Sequence, residues 1–435
     1  MELRAWCRAT LLVVAMNGLF LLPGLFATAV PQGTVERRVR RAFATGELGD
    51  RDYLPYDARR GWHQYNDCNI LQMLSNPDDS LAGRAWGPWL HLADADDAQA
   101  CATLRRLVVD GGDLHGLVSS RYARYWHGYI PPVAVLLVVL DVAQVRELFR
   151  VAVFAAVLSL ALAGYRRKAF MPLTASVALG GLLFWGVPYY GLGFSHAPGD
   201  AVAMLGIGAL VYWHRSLAAT SRLVPYCAAY GALIVYFEML TGPLPVVAGL
   251  LFPTVYLVFR VEAPQRHGAR ALLQATKGLV AFVVGAALTV LARVALAALA
   301  VRPSGLDTFF GNLALYVGSV DEHAWIPSAL EPLGRLVRKG VVLTYGSVPL
   351  LATLYLSALL AALVAFGRAR ARAGREAWTD LAAFGIGVAA VPLWTLLLQE
   401  HTYAHAAFMA RILIVPVSLC WAAAAWQRRS GRSGE

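Results

Sequence analysis

Apolar residues run in long blocks along this chain, separated by short polar connections. The first block, Leu11 to Val30, is about 20 residues, enough to cross a bilayer as a helix. Further blocks fall at roughly 147–164, 172–191, 199–213, 223–241, 243–259, 273–300, 346–366, 380–398 and 409–426. Together they predict an all-α polytopic membrane protein, with about ten transmembrane helices in a single membrane domain over residues 1–435. Two long polar stretches break the series, 31–146 and 302–346.

The end of the first polar stretch has a pattern of its own. The segment Arg121 to Asp141 contains "YIPPVAVLLVVLD", about 13 residues of largely apolar character and too short to span, and is predicted to form a helix lying on or dipping into the outer surface of the membrane. Before it, Tyr122, Tyr125, Trp126 and Tyr129 recur at helical spacing, with Arg121, Arg124 and Gly128 on a second stripe. Such a stripe serves as an interfacial aromatic belt or as a platform for lipid phosphate and sugar.

Composition agrees with a lipid environment: 58% of residues are hydrophobic, 15% are charged, and the mean hydropathy is +0.54. The net charge of +11 resides in short Arg clusters between apolar blocks rather than in a basic domain, which argues against nucleic-acid binding. The clusters occupy alternate connections: Arg4 and Arg8; Arg166, Arg167 and Lys168; Arg215 and Arg222; Arg260, Arg266 and Arg270; Arg368 to Arg375; Arg428 to Arg432. By the positive-inside rule both termini are then cytoplasmic and both long polar stretches lie outside. "ERRVRR" (Glu36 to Arg41), just past the first block, is the misfit. "ATA" near the end of that block resembles a signal-peptide cleavage site, but the length of the block favours an uncleaved helix.

Most of the candidate chemistry falls on the expected outer side. In "GWHQYNDCN", Asp67 is flanked by Trp62, His63, Tyr65 and Asn66, side chains that stack on or hydrogen-bond a sugar. Asp67 has two readings, a general base acting on a hydroxyl or a cap for the amphipathic "NILQML" segment; Asp52 and Asp57 are alternatives as base. Of five cysteines, only Cys68 and Cys101 share an outer loop. In an oxidising compartment they predict a disulfide worth on the order of 3 kcal/mol, against the alternative of two free thiols.

"LQEHTYAHAAFMAR" places Glu400, His401 and His405 together, with Arg411 at the outer end of the last block. His401 and His405 have the i, i+4 spacing of a zinc pair but no acid between them, so a metal site is not expected. Arg411, at membrane depth, suits a phosphate. His196 and Asp200 sit in "GFSHAPGD", where Asp200 suits a helix cap. Glu238 in "FEMLTGP" ends an apolar block, where a carboxylate must be paired or functional. "VDEHAW" adds Asp321, Glu322 and His323, which a solvated loop explains. No phosphate-binding loop, dinucleotide fingerprint, nucleophile elbow or internal repeat is evident.

"YNDC", "RYARYWHGY" and "HTYAHAAFMAR", set in this layout of one span, a long outer loop and many further spans, resemble the GT-C superfamily of membrane glycosyltransferases, and among them bacterial arabinofuranosyltransferases. The resemblance implies an inverting transfer of a sugar, with a pentofuranose among the candidates, from a polyprenyl-phosphate donor to a glycan, lipid or protein acceptor at the periplasmic face of the bacterial inner membrane. It implies Asp67 as base and Arg411, with Arg124 or His405, against the leaving phosphate; Trp62, His63, Tyr65, His127, His196, Glu238 and His401 are the further candidate substrate contacts, and a divalent metal is allowed but not required. The rivals are an O-antigen ligase or polymerase, which usually carries its large loop late in the chain, and a lipid-linked sugar flippase, which needs polar groups at the membrane midplane.

Overall fold

The computed structural model describes residues 2–52, 64–75, 80–93, 99–111, 116–123, 125–184, 193–238, 242–262, 268–300, 325–340, 347–372 and 374–432. Trp62, His63, Asp57, Arg124 and the 301–324 and 341–346 parts of the second polar stretch lie outside them.

The chain opens with α1 (Glu2–Thr28) and α2 (Gln32–Ala44). A polar lobe follows: α3 (Tyr65–Ser75), α4 (Leu81–Trp86), β1 (Trp89–Ala93), α5 (Ala100–Val108) and β2 (Leu117–Arg121). Then come α6 (Ile130–Val139), α7 (Val142–Arg166), α8 (Met171–Phe184), α9 (His196–Tyr212), the short α10 (His214–Leu217), α11 (Thr220–Phe237), α12 (Pro243–Glu262) and α13 (Gly268–Ala300). The last part comprises α14 (Trp325–Lys339), α15 (Val348–Arg372), α16 (Arg375–Leu397), α17 (Gln399–Ala404), α18 (Ala406–Met409), a 3-10 turn (Ala410–Leu413) and α19 (Ile414–Arg432).

Among the described residues, seven helical segments are long and apolar enough to cross a membrane: α1, α7, α12, α13, α15, α16 and the segment Ala410–Arg429. Helices also stand where the other three apolar blocks were expected, α8, α9 and α11, but these do not meet that measure. The chain is therefore an all-α polytopic membrane protein in its membrane part. The lobe departs from all-α, because β1 and β2 pair antiparallel with Trp89 opposite Arg121 and Ala93 opposite Leu117.

Two local features correct the sequence reading. None of the described residues in 121–129 is helical: β2 runs to Arg121, His127 adopts φ +56°, and α6 starts only at Ile130. The aromatic residues that share a helical spacing are thus set by an irregular turn. Gly128 is required there, since a Cβ would lie 2.5 Å from the Tyr236 ring, and its amide donates to the Tyr236 carbonyl at 3.0 Å.

"ERRVRR" forms part of α2, which buries Val35, Val39 and Ala42 on one stripe. Its Arg38 donates to the Leu137 and Val138 carbonyls at the end of α6 and pairs with Asp141 at 2.6 Å. Those carbonyls are the unsatisfied acceptors of a helix C-terminus, where a cation is favourable. The cluster therefore has a structural use on the lobe side.

The lobe and the basic connections sit at opposite ends of the bundle. Arg84 of α4 donates to the Thr28 carbonyl at the end of α1, and Arg146 near the start of α7 reaches Asp67 of α3. At the other end, Lys277 pairs with Glu2, Arg167 donates to Tyr212, and Arg260 pairs with Glu376 and Asp380.

Candidate functional site

The lobe is held rigid next to the bundle. Cys68 of α3 and Cys101 of α5 are disulfide-bonded, with a sequence separation of 33. Asp52 accepts the Ala100 and Cys101 amides at 2.9 and 2.8 Å, so both its oxygens serve the N-terminus of α5. Burial raises its carboxyl above the usual value, against those two amides. Gln72 links three elements, donating to the Ala100 carbonyl and accepting the His91 amide.

Asp67 is equally committed. It lies in the first turn of α3, so it is not the N-cap residue, and it is 2% exposed. Its Oδ2 accepts from Arg146 Nε at 2.8 Å and its Oδ1 from the Phe194 amide at 2.8 Å. Arg146 is 1% exposed and also donates to the Glu47 carbonyl. Burial raises the Asp67 carboxyl, and the Arg146 charge and the two hydrogen bonds oppose it. Asp67 thus fastens α3 to α7 and to the turn before α9.

Asn66, the neighbour of Asp67, lines a small cavity. Asn66, Asn69, Ser195, His196 and Glu238 supply its polar wall; Tyr122, Tyr125, Tyr129 and Tyr236 supply rings, and Ile70, Met73, Val235 and Phe237 complete it. Glu238 follows the last residue of α11, and His196 begins α9. His196 Nδ1 lies 2.7 Å from Glu238 Oε1, and Asn66 Nδ2 lies 3.0 Å from His196 Nε2. An ionised Glu238 accepts from Nδ1–H while Nε2 accepts from the amide; Arg411 Nη2, itself a donor, is then a close neighbour of Nδ1 and not its hydrogen-bond partner.

Arg411 lies behind this wall, fully buried. It donates to Asp200 Oδ2 at 2.8 Å and to Glu238 Oε1 at 2.5 Å, and its Nη2 is 3.0 Å from His196 Nδ1. Gly242 permits the approach, because a Cβ there would lie 2.3 Å from Arg411 Nε. One guanidinium serves two carboxylates, and burial raises the Glu238 carboxyl in spite of it. Asp200, expected as a cap, is instead an ion-pair partner inside α9.

Three polar atoms on the cavity residues have no hydrogen-bond partner: Glu238 Oε2, Ser195 Oγ and Asn69 Oδ1. Buried polar groups are normally satisfied, so three orphans among the residues that border one cavity set this region apart. Among the described residues, no group of three or more His, Cys, Asp or Glu is arranged for a metal ion.

His127 is buried and does not line the cavity; its ring meets the Tyr129 hydroxyl at 2.9 Å and the Tyr122 carbonyl at 2.7 Å, fixing two of the tyrosines. Its left-handed backbone is costly for a residue with a Cβ, on the order of 1–3 kcal/mol, a strain typical of functional sites. His401 and His405 pack ring to ring at 4.7 Å, and His405 stacks on Phe408, which reaches the His196 ring at 5.8 Å. They support His196 from behind. Tyr65 is packed on the core and does not line the cavity; the side chain of Glu400 lies outside the described residues.

Sequence reasoning missed Asn69, Ser195 and Arg146. Arg146, beside an apolar block, carried the general signal of a charge at membrane depth; Asn69 and Ser195 carried none. A scan against protein-family models and searches of curated proteins and of solved structures match nothing to this chain.

Proposed function

We propose that the chain is an inverting membrane glycosyltransferase of the GT-C kind, moving a sugar from a polyprenyl-phosphate donor to a hydroxyl acceptor. On this reading about ten helices span the bacterial inner membrane, and the lobe faces the periplasm. The observation that carries the reading is the ring-lined cavity at the junction of lobe and helix ends, bordered by Asn69, Ser195 and Glu238, each with a buried polar atom that has no hydrogen-bond partner. A sugar offers hydroxyl donors for those atoms and apolar ring faces for the tyrosines.

The base is assigned to Glu238 rather than Asp67. His196 and Arg411 hold Oε1, which leaves Oε2 to take the proton of the acceptor hydroxyl. The acceptor oxygen then forms its bond to the anomeric carbon as the bond from that carbon to the phosphate oxygen breaks, and polyprenyl phosphate leaves with the electron pair. Asp67 is a positioning residue that fixes Asn66 against His196. Arg411 acts on the carboxylates instead of the phosphate.

The test is release of polyprenyl phosphate from a panel of polyprenyl-phosphate pentoses and hexoses by membranes containing the protein. Release with at least one donor, abolished in Glu238→Gln, is the expected result. Absence of release with every donor and acceptor class would overturn the reading.

A further inference from the structure

Arg293 differs from the other deeply buried arginines. Arg146 pairs with Asp67, and Arg411 pairs with Asp200 and Glu238. Arg293, in the last third of α13 and 2% exposed, pairs with no carboxylate among the described residues. Its Nη2 donates to the Trp86 carbonyl, its guanidinium lies 5.9 Å from the Trp126 ring, and its Nε has no hydrogen-bond partner. Trp86 Nε1 is a second buried donor without a partner.

Both residues lie where α1, α4 and α13 pack together, at the lobe end of the bundle. A Cβ on Gly24 of α1 would lie 3.3 Å from Trp86 Nε1, so α1 passes directly over the indole. Only 17% of the apolar window of α1 is buried, which leaves most of that helix to lipid. On the other side, Trp126 packs on Tyr236, one of the rings of the cavity. An uncompensated cation at membrane depth is unfavourable unless an anion joins it. A phosphate oxygen accepts from both guanidinium and indole donors.

Resting on the reading above, we propose that Arg293 and Trp86 bind the phosphate of a membrane lipid, one ring layer behind the sugar cavity. This places the anion beside the cavity while the lipid chain follows the exposed face of α1.

The experiment measures binding to the purified full-length protein by native mass spectrometry, with three probes: a polyprenyl monophosphate, phosphatidylglycerol and inorganic phosphate. Variants are Arg293→Gln, Arg293→Lys and Trp86→Phe, each checked for an intact Cys68–Cys101 bond and thermal unfolding. The expected result is saturable binding of polyprenyl monophosphate, weakened about tenfold or more in Arg293→Gln and several-fold in the other two. If Arg293→Gln does not fold, Arg293→Lys and Trp86→Phe decide.

Wild-type affinity in both of those folded variants overturns the site, whatever the outcome of the transfer assay. Arg293-dependent binding of phosphatidylglycerol but not of polyprenyl monophosphate supports the site and removes the donor reading. Binding of inorganic phosphate but of neither lipid overturns the proposal.

Discussion

Asp67 and Glu238 are both buried carboxylates beside a buried arginine, at the same end of the bundle. Asp67 gives one oxygen to Arg146 and the other to the Phe194 amide. Glu238 gives only Oε1, to His196 and Arg411, and its Oε2 has no hydrogen-bond partner. The contrast lies in what each acid has left to offer: a carboxylate with both oxygens engaged fixes geometry, and one with an oxygen unengaged can exchange a proton. Arginine proximity alone does not separate the two.

Substitution is the most direct way to break this comparison. Glu238→Gln keeps shape and removes the proposed base, and on that proposal is expected to lower transfer at least about 100-fold with little change in thermal unfolding. Asp67→Asn leaves Arg146 buried without its counter-charge and is expected to destabilise by about 3–5 kcal/mol, read by thermal unfolding in detergent. The protein that still folds should retain transfer per folded molecule. An Asp67→Asn protein that unfolds like wild type and transfers nothing would exchange the two roles.

Removing the staple gives a smaller effect of the same kind. Replacing Cys68 and Cys101 together by Ser should cost about 3 kcal/mol, and alkylation of the native protein should label neither thiol until reductant is added.

The pH profile sharpens the comparison at the lowest cost in structure. Because the folded environment raises the Glu238 carboxyl, the ionised base is lost as pH falls through a value above the ordinary Glu figure of about 4.3. Transfer should therefore fall on acidification earlier than an unperturbed carboxylate would allow. The sign for stability is opposite: the folded state holds this proton more tightly, so the associated stabilisation is present at low pH and declines as pH rises from the ordinary to the raised value. A rate that is level down to the ordinary carboxylate range would remove Glu238 as the base.

The bundle was readable in the sequence because apolar blocks of spanning length have few alternatives in lipid. The acid at the end of the block before Gly242 stood out for the same reason. What the sequence could not reveal was pairing: Asp67 and Arg146 are separated by 79 positions, and Asp200 and Arg411 by 211. Such pairs depend on which helix faces pack together, so Arg411 resembled a free phosphate ligand and Asp200 a cap.

The tyrosines show a different limit. Their spacing fits a helical period, but the left-handed turn at His127 and the contact of Gly128 with Tyr236 override that local preference. The tyrosines came out as candidates, but on the wrong kind of element.

The position of the Cys68–Cys101 bond in the chain has a consequence for biosynthesis. Both cysteines precede α6, so during translation the lobe can be cross-linked before His196, Glu238 and Arg411 have been made. N-terminal units generally fold first as a chain emerges. The lobe then acts as a template on which the later helices dock, and a nascent chain oxidised too late would assemble its membrane half against an unset surface.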